Sequence, residues 1–129
     1  MTRKNTYELV GMSCYIFKSN YRLMMSDIIF RLITNDKING IYLWKLINNN
    51  CFRYKVRALA NGSAGSMPNI SKQRLFALAI PLPPICLQNK FSTIVEQAEK
   101  QKKLLLTGLE KLESNYKALS QKAFAGELF

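Results

Sequence analysis

Histidine is absent from the chain, and cysteine is scarce: Cys14, Cys51 and Cys86 lie far apart, with no C-x-x-C pair among them. Without imidazole there is no Ser-His or Cys-His nucleophile, and a zinc site would have to be built from cysteine and carboxylates at unsuitable spacings, so no metal is expected. Acids are few as well. Glu8, Asp27 and Asp36 are the only three in residues 1–86, scattered rather than paired for general acid–base work. The loop NGSAGS (61–66) has glycines but no G-K-[ST], and G-x-G-x-x-G is missing. No cofactor and no independent catalysis are expected. Apolar runs stay well below the roughly 18–20 residues of a membrane span, and MTRKNTYELV lacks the apolar segment of a signal peptide. The expected setting is a reducing cytoplasm with free thiols, without a membrane.

What is present is positive charge. The 129 residues carry a net +11, with 48% hydrophobic and 21% charged residues, a balance typical of a globular domain. The charge is unevenly spread. Residues 1–86 hold 12 Lys/Arg against three acids, a net +9, whereas 87–129 hold seven Lys against five Glu, a net +2. A one-signed field on a compact unit attracts polyanions, chiefly nucleic acid or an anionic membrane surface.

ELVGMSCYIF (8–17) and RLMMSDIIFRLI (22–33) are short, rich in aromatic and branched residues, and predict strands separated by a polar turn. TNDKING (34–40) is a turn by composition. IYLWKLINNN (41–50) predicts a short helix that its asparagines fray and end. CFRYKVRALA (51–60) predicts a second helix, with Phe52, Val56 and Leu59 as an apolar stripe and Arg53 and Arg57 projecting together from its flank. Asn61 or Gly62 is the expected C-cap, and Ser71 the expected N-cap of a short helix before IPLPP.

In IPLPPICLQ (80–88) the prolines bias Ile80, Leu82 and Pro83 to extended geometry, giving a stiff joint rather than a flexible linker. Beyond it no proline remains. Steps of four and three from Phe91 pick out Phe91, Val95, Ala98, Lys102, Leu105, Leu109, Leu112, Tyr116, Leu119 and Ala123, of which nine are apolar. That is a coiled-coil pattern on a helix roughly 50 Å long. Lys102 and Gly108 interrupt it near the middle. The fold expected is α+β: a small mixed unit of short strands and helices (1–84), then one long coiled-coil helix and tail (85–129) whose stripe needs a helix from another chain.

The succession NGSAGSMPNISKQRLFALAIPLPPICLQNKF, a leucine-rich helix and KAFAGELF resembles the specificity subunit of type I restriction-modification systems, and MSDIIFRL and IYLWKLINNN resemble the second half of that family's target recognition domain. The resemblance covers most of 22–129. It implies a non-catalytic subunit that reads double-stranded DNA, with long helices pairing antiparallel as a spacer and docking the modification (methyltransferase) subunits, which carry S-adenosylmethionine. On that expectation Arg53, Lys55, Arg57, Lys72 and Arg74, with Ser63 and Ser66 of the glycine loop, are the candidate DNA contacts. Phe91, Val95, Ala98, Leu105, Leu109, Leu112, Tyr116 and Leu119 form the candidate pairing interface, in a homodimer or with another specificity polypeptide. A full subunit has two recognition domains and two helices; here some 86 residues precede one helix, so the chain resembles a truncated, C-terminal part. It also lacks the acidic stretch common in the family before the glutamine, having Ile85, Cys86 and Leu87 ahead of Gln88. The competing reading is an assembly scaffold whose helix pairs and whose charge serves solubility alone.

Overall fold

The computed structural model describes residues 1–62 and 67–127. In chain order the elements are α1 (Gly40–Asn48), α2 (Asn50–Ala58), β1 (Ala60–Asn61), β2 (Asn69–Ile70), α3 (Lys72–Phe76) and α4 (Ile85–Phe124), an α+β arrangement ending in a 40-residue helix. The molecule divides into two compact units, residues 1–92 and 93–129, so the first two turns of α4 belong to the first unit.

Asparagines organise the helical pair. Asn39 caps α1, its side-chain oxygen accepting from the N–H groups of Ile41 and Tyr42. Asn49 closes α1 and opens α2 in one residue: its N–H donates to Leu46 O, and its side chain accepts from Cys51 N–H at 2.9 Å. Asn48 Nδ2 donates to Ser13 O (2.7 Å) and its Oδ1 accepts from Ser13 N–H (3.0 Å). The triple asparagine therefore pins and caps, where fraying was expected. On α2, Phe52 and Val56 are buried as the stripe predicts and Leu59 is half-buried. Leu59, not Asn61 or Gly62, is the C-cap, because Ala60 and Asn61 pair antiparallel with Ile70 and Asn69. Ser71 caps α3 as expected, accepting from Arg74 N–H.

The two expected strands do not form. Segment 8–17 begins in a turn, with the N–H groups of Leu9 and Val10 both donating to Thr6 O, and Gly11 takes φ +73°. A side chain at residue 11 would meet Val56 Cγ1 at 2.5 Å, so this turn sits on α2 only because residue 11 is glycine. Of segment 22–33, Ile29 alone bridges, to Thr2. A β-rich composition needs a neighbouring ladder to become a strand, and here the neighbour is brief: Ile70 N–H donates to Arg3 O, Lys4 bridges Asn69, and Arg3 N–H donates to Ile28 O. The core is correspondingly small, built from Met1, Val10, Phe30, Ile47, Phe52, Val56 and Ile70, with half-buried Leu43, Leu46, Leu75, Leu78 and Ile80 around it.

The start of α4 is fixed by a buried amide. Pro84 O accepts the first helical bonds, from the N–H groups of Leu87 and Gln88. Gln88, 1% exposed, donates through Nε2 to Lys37 O (3.1 Å) and Pro83 O (2.8 Å), and its Oε1 accepts from Asn39 N–H (2.9 Å). Ser92 Oγ, also buried, donates to Asn39 Oδ1 at 2.7 Å.

In the second unit α4 ends by a glycine stop. Gly126 adopts φ +74°, its N–H donates to Ala123 O, and Glu127 N–H donates to Lys122 O, the doubled bond of a Schellman cap. Val95 is buried. From Leu104 onward the apolar residues are exposed: Leu105 by 74%, with Leu109, Leu112, Tyr116 and Leu119 all more than half exposed. Beyond the helix's own backbone, a Cβ at Gly108 would meet nothing within 4 Å among the described residues, so the glycine leaves room on the helix surface. Among the described residues, no helix is long and apolar enough to cross a membrane.

Candidate nucleic-acid interface

The predicted basic residues separate into two groups with different fates. The first is on α2. Arg53 was expected to project with Arg57 into solvent; instead it is 8% exposed. Its Nη2 donates to the carbonyls of Glu8 and Val10, each at 2.9 Å, so the guanidinium holds the 6–11 turn closed. The turn needs such a donor because its carbonyls point inward with no strand to receive them. Burial, and after it the neighbouring Arg57, pushes the Arg53 pKa down, while guanidinium keeps its charge across the accessible pH range. Arg57, half-buried, donates through Nη2 to Glu8 O (3.1 Å) and lies 5.6 Å from the Tyr7 ring centroid. Arg53 Nη1 and Arg57 Nε are buried without a hydrogen-bond partner. This is a costly like-charged arrangement, tolerated where the carbonyls of the turn and the Tyr7 ring face it. Lys55, on the exposed side of α2, lies between the rings of Phe52 (5.7 Å) and Tyr54 (5.9 Å).

The second group surrounds the β1–β2 hairpin. Arg74, exposed on α3, donates to Asn61 Oδ1 and to Leu59 O, which attaches it to the β1 side. Lys72, also on α3, is exposed. On the β2 side Arg3 Nε donates to Asn69 Oδ1 (3.2 Å), with its guanidinium 5.5 Å from the Phe30 ring, and exposed Lys4 bridges Asn69 through its main chain. Arg3 and Lys4 were missed from sequence: only the folded chain carries residues 3–4 to residues 69–70. Ser63 and Ser66 lie outside the described residues. The hairpin thus gathers Arg3, Lys4, Lys72 and Arg74, while no cluster of His, Cys, Asp or Glu suited to a metal ion occurs among the described residues.

Of the residues predicted to form a pairing face, Phe91 lies in the first unit, its ring edge-on to Tyr42 at 6.1 Å. Val95 is buried rather than available, while Ala98, Leu105, Leu109, Leu112, Tyr116 and Leu119 lie exposed in the second unit.

These features define a class: a small basic α+β unit that continues into a long helix with an apolar edge. The chain is similar to one segment of a type I restriction specificity subunit. It is 33% identical over 97 residues to the specificity subunit of the type I restriction enzyme EcoEI from Escherichia coli, an alignment covering 74% of this chain and 16% of that protein. The family resemblance carried by the ordered motifs and this alignment agree. No family model and no solved structure matches the chain.

Proposed function

We propose that this chain acts as a DNA-specificity polypeptide, or part of one, in a type I restriction-modification system. The first unit faces duplex DNA; the helix edge beyond residue 93 pairs with another helix; the modification subunits supply catalysis, in the cytoplasm. The observation that carries the reading is the 33% identity to a specificity subunit over 97 residues, and the basic excess on the unit before α4 supports it. In this reading Lys55, Arg57, Lys72 and Arg74, joined by Arg3 and Lys4, neutralise phosphates, and Arg53 is a positioning residue that shapes the 6–11 turn beside Arg57. Phosphate contacts set affinity and register, while base contacts would come from loops, Ser63 and Ser66 included.

The test is binding of duplex DNA, alone and after reconstitution with the modification subunits, measured by anisotropy from about 50 to 200 mM salt. Affinity is expected to fall steeply, with a log–log slope of about −0.9 per phosphate neutralised. Salt-insensitive or undetectable binding in both preparations overturns the proposal.

The exposed leucines of α4 favour a second reading, an assembly module that pairs without touching DNA. Sedimentation separates the two: a dimer indifferent to DNA supports the module.

A further inference from the structure

We propose that the first unit carries, apart from its duplex-facing charges, an aromatic platform of Tyr15 and Phe17 backed by Trp44 that stacks an unpaired nucleobase. The proposal rests on the reading of the chain as a nucleic-acid binder and names a second substrate form for it. The three rings form one group: Tyr15 and Phe17 lie 5.0 Å apart, edge to face at 73°; Tyr15 and Trp44 stack at 6.1 Å and 28°; Phe17 meets Trp44 edge-on at 5.9 Å. None of them belongs to the buried core. Phe17 is 50% exposed and Tyr15 39%, so part of each residue stays in water although the chain has brought the rings together.

The platform is held in place from below. Trp44 Nε1 donates to Ser13 O at 3.2 Å, and Asn48 bonds both the carbonyl and the N–H of Ser13, so the main chain two residues before Tyr15 is tied to α1 at three points. Tyr15 lies across Gly40, its Cε2 at 3.1 Å from where a Cβ would sit, so a larger residue there would push the ring aside. Fixed aromatic rings cost little ordering when a base stacks on them.

Charge and space select the occupant. Lys45 Nζ sits 4.1 Å from the Trp44 ring centroid, and Lys18 and Arg22 are exposed on the loop that follows Phe17. Tyr15 and Trp44, but not Phe17, also border a groove of 650 Å³ whose other walls include Leu23, Met24, Met25 and the cation Arg31, within the size range of small-molecule sites. A nucleotide answers both features at once, its base meeting the rings and its phosphate the cations. In an intact duplex the base faces are covered by their neighbours, so the platform reads only strands that are open.

Trp44 is the only tryptophan beside six tyrosines, so emission excited selectively at tryptophan reports on this cluster. The full chain is titrated with an oligothymidylate and with a blunt duplex of equal length, following tryptophan emission and the anisotropy of the labelled strand. The single strand is expected to change Trp44 emission saturably. Phe17→Ala and Tyr15→Ala are each expected to weaken single-strand binding by about 5- to 100-fold while leaving duplex affinity within about twofold, since no duplex contact is assigned to either ring. Phe17→Leu keeps apolar bulk without an aromatic face and is expected to behave like Phe17→Ala, with unchanged circular dichroism. Full binding by Phe17→Leu overturns stacking, as does equal loss on single strand and duplex, or an emission change elicited by an acidic peptide but not by the oligonucleotide. Single-strand binding without duplex binding would remove the duplex reading and leave the platform standing.

Discussion

The two units treat their apolar side chains in opposite ways. Residues 1–92 bury a small set in an irregular chain, and they do so with polar side chains: Arg53, Asn39, Asn48, Gln88 and Ser92 each satisfy main-chain or side-chain groups distant in sequence. Residues 93–124 are one regular helix whose leucines from Leu104 onward are left in water. The difference teaches where stability resides. A helix satisfies its own backbone and needs others only for its apolar edge, whereas loop-rich structure must find a partner for each inward carbonyl.

Substitutions can break or sharpen this contrast. The largest effect is expected from Leu105, Leu109 and Leu112 together changed to Glu: self-association or pairing of the chain should be lost, by at least about 100-fold in association constant, with unchanged helicity of the first unit. Analytical ultracentrifugation with circular dichroism reads both. Next, Arg53→Ala removes the donor of the Val10 carbonyl and one of the two donors of the Glu8 carbonyl and opens a gap against Gly11, with an expected loss of about 3 kcal/mol in urea unfolding; any accompanying loss in pairing would contradict the separation of the units. Gln88→Ala strips three hydrogen bonds from a buried network, at about 2 kcal/mol, and amide exchange at residues 37–41 should accelerate with it. The smallest change belongs to Lys72→Ala with Arg74→Ala. Both side chains are exposed, so stability should stay within about 0.5 kcal/mol, while duplex affinity falls about tenfold and the salt slope becomes shallower by about 2.

Much of the helical layout was legible. Phe52 and Val56 are buried at their predicted spacing, Ser71 caps α3, and α4 begins directly behind Pro84. The strands predicted over 8–17 and 22–33 were not, because branched and aromatic residues announce only a readiness to pair, and the neighbouring rows here supply one or two bridges. The placement of the basic side chains was legible only in part. Lys72 and Arg74 are exposed as expected; Arg53 carries the same charge, at a helical position four from Arg57, yet turns inward because the 6–11 turn offers it carbonyls. Arg3 and Lys4 gave no local signal at all.

By itself the sequence determined the terminal helix: that no proline interrupts it beyond Pro84, and which edge is apolar. Each of those features depends on residues within a turn or two of one another, where spacing and backbone freedom suffice. Only the tertiary structure decided that Arg53 turns inward and that Gln88, among the described residues, becomes the most deeply enclosed polar side chain of the first unit. Those outcomes depend on acceptors some 40 to 50 residues away, and a side chain's charge or polarity says what it can bond, never what the fold will bring within reach.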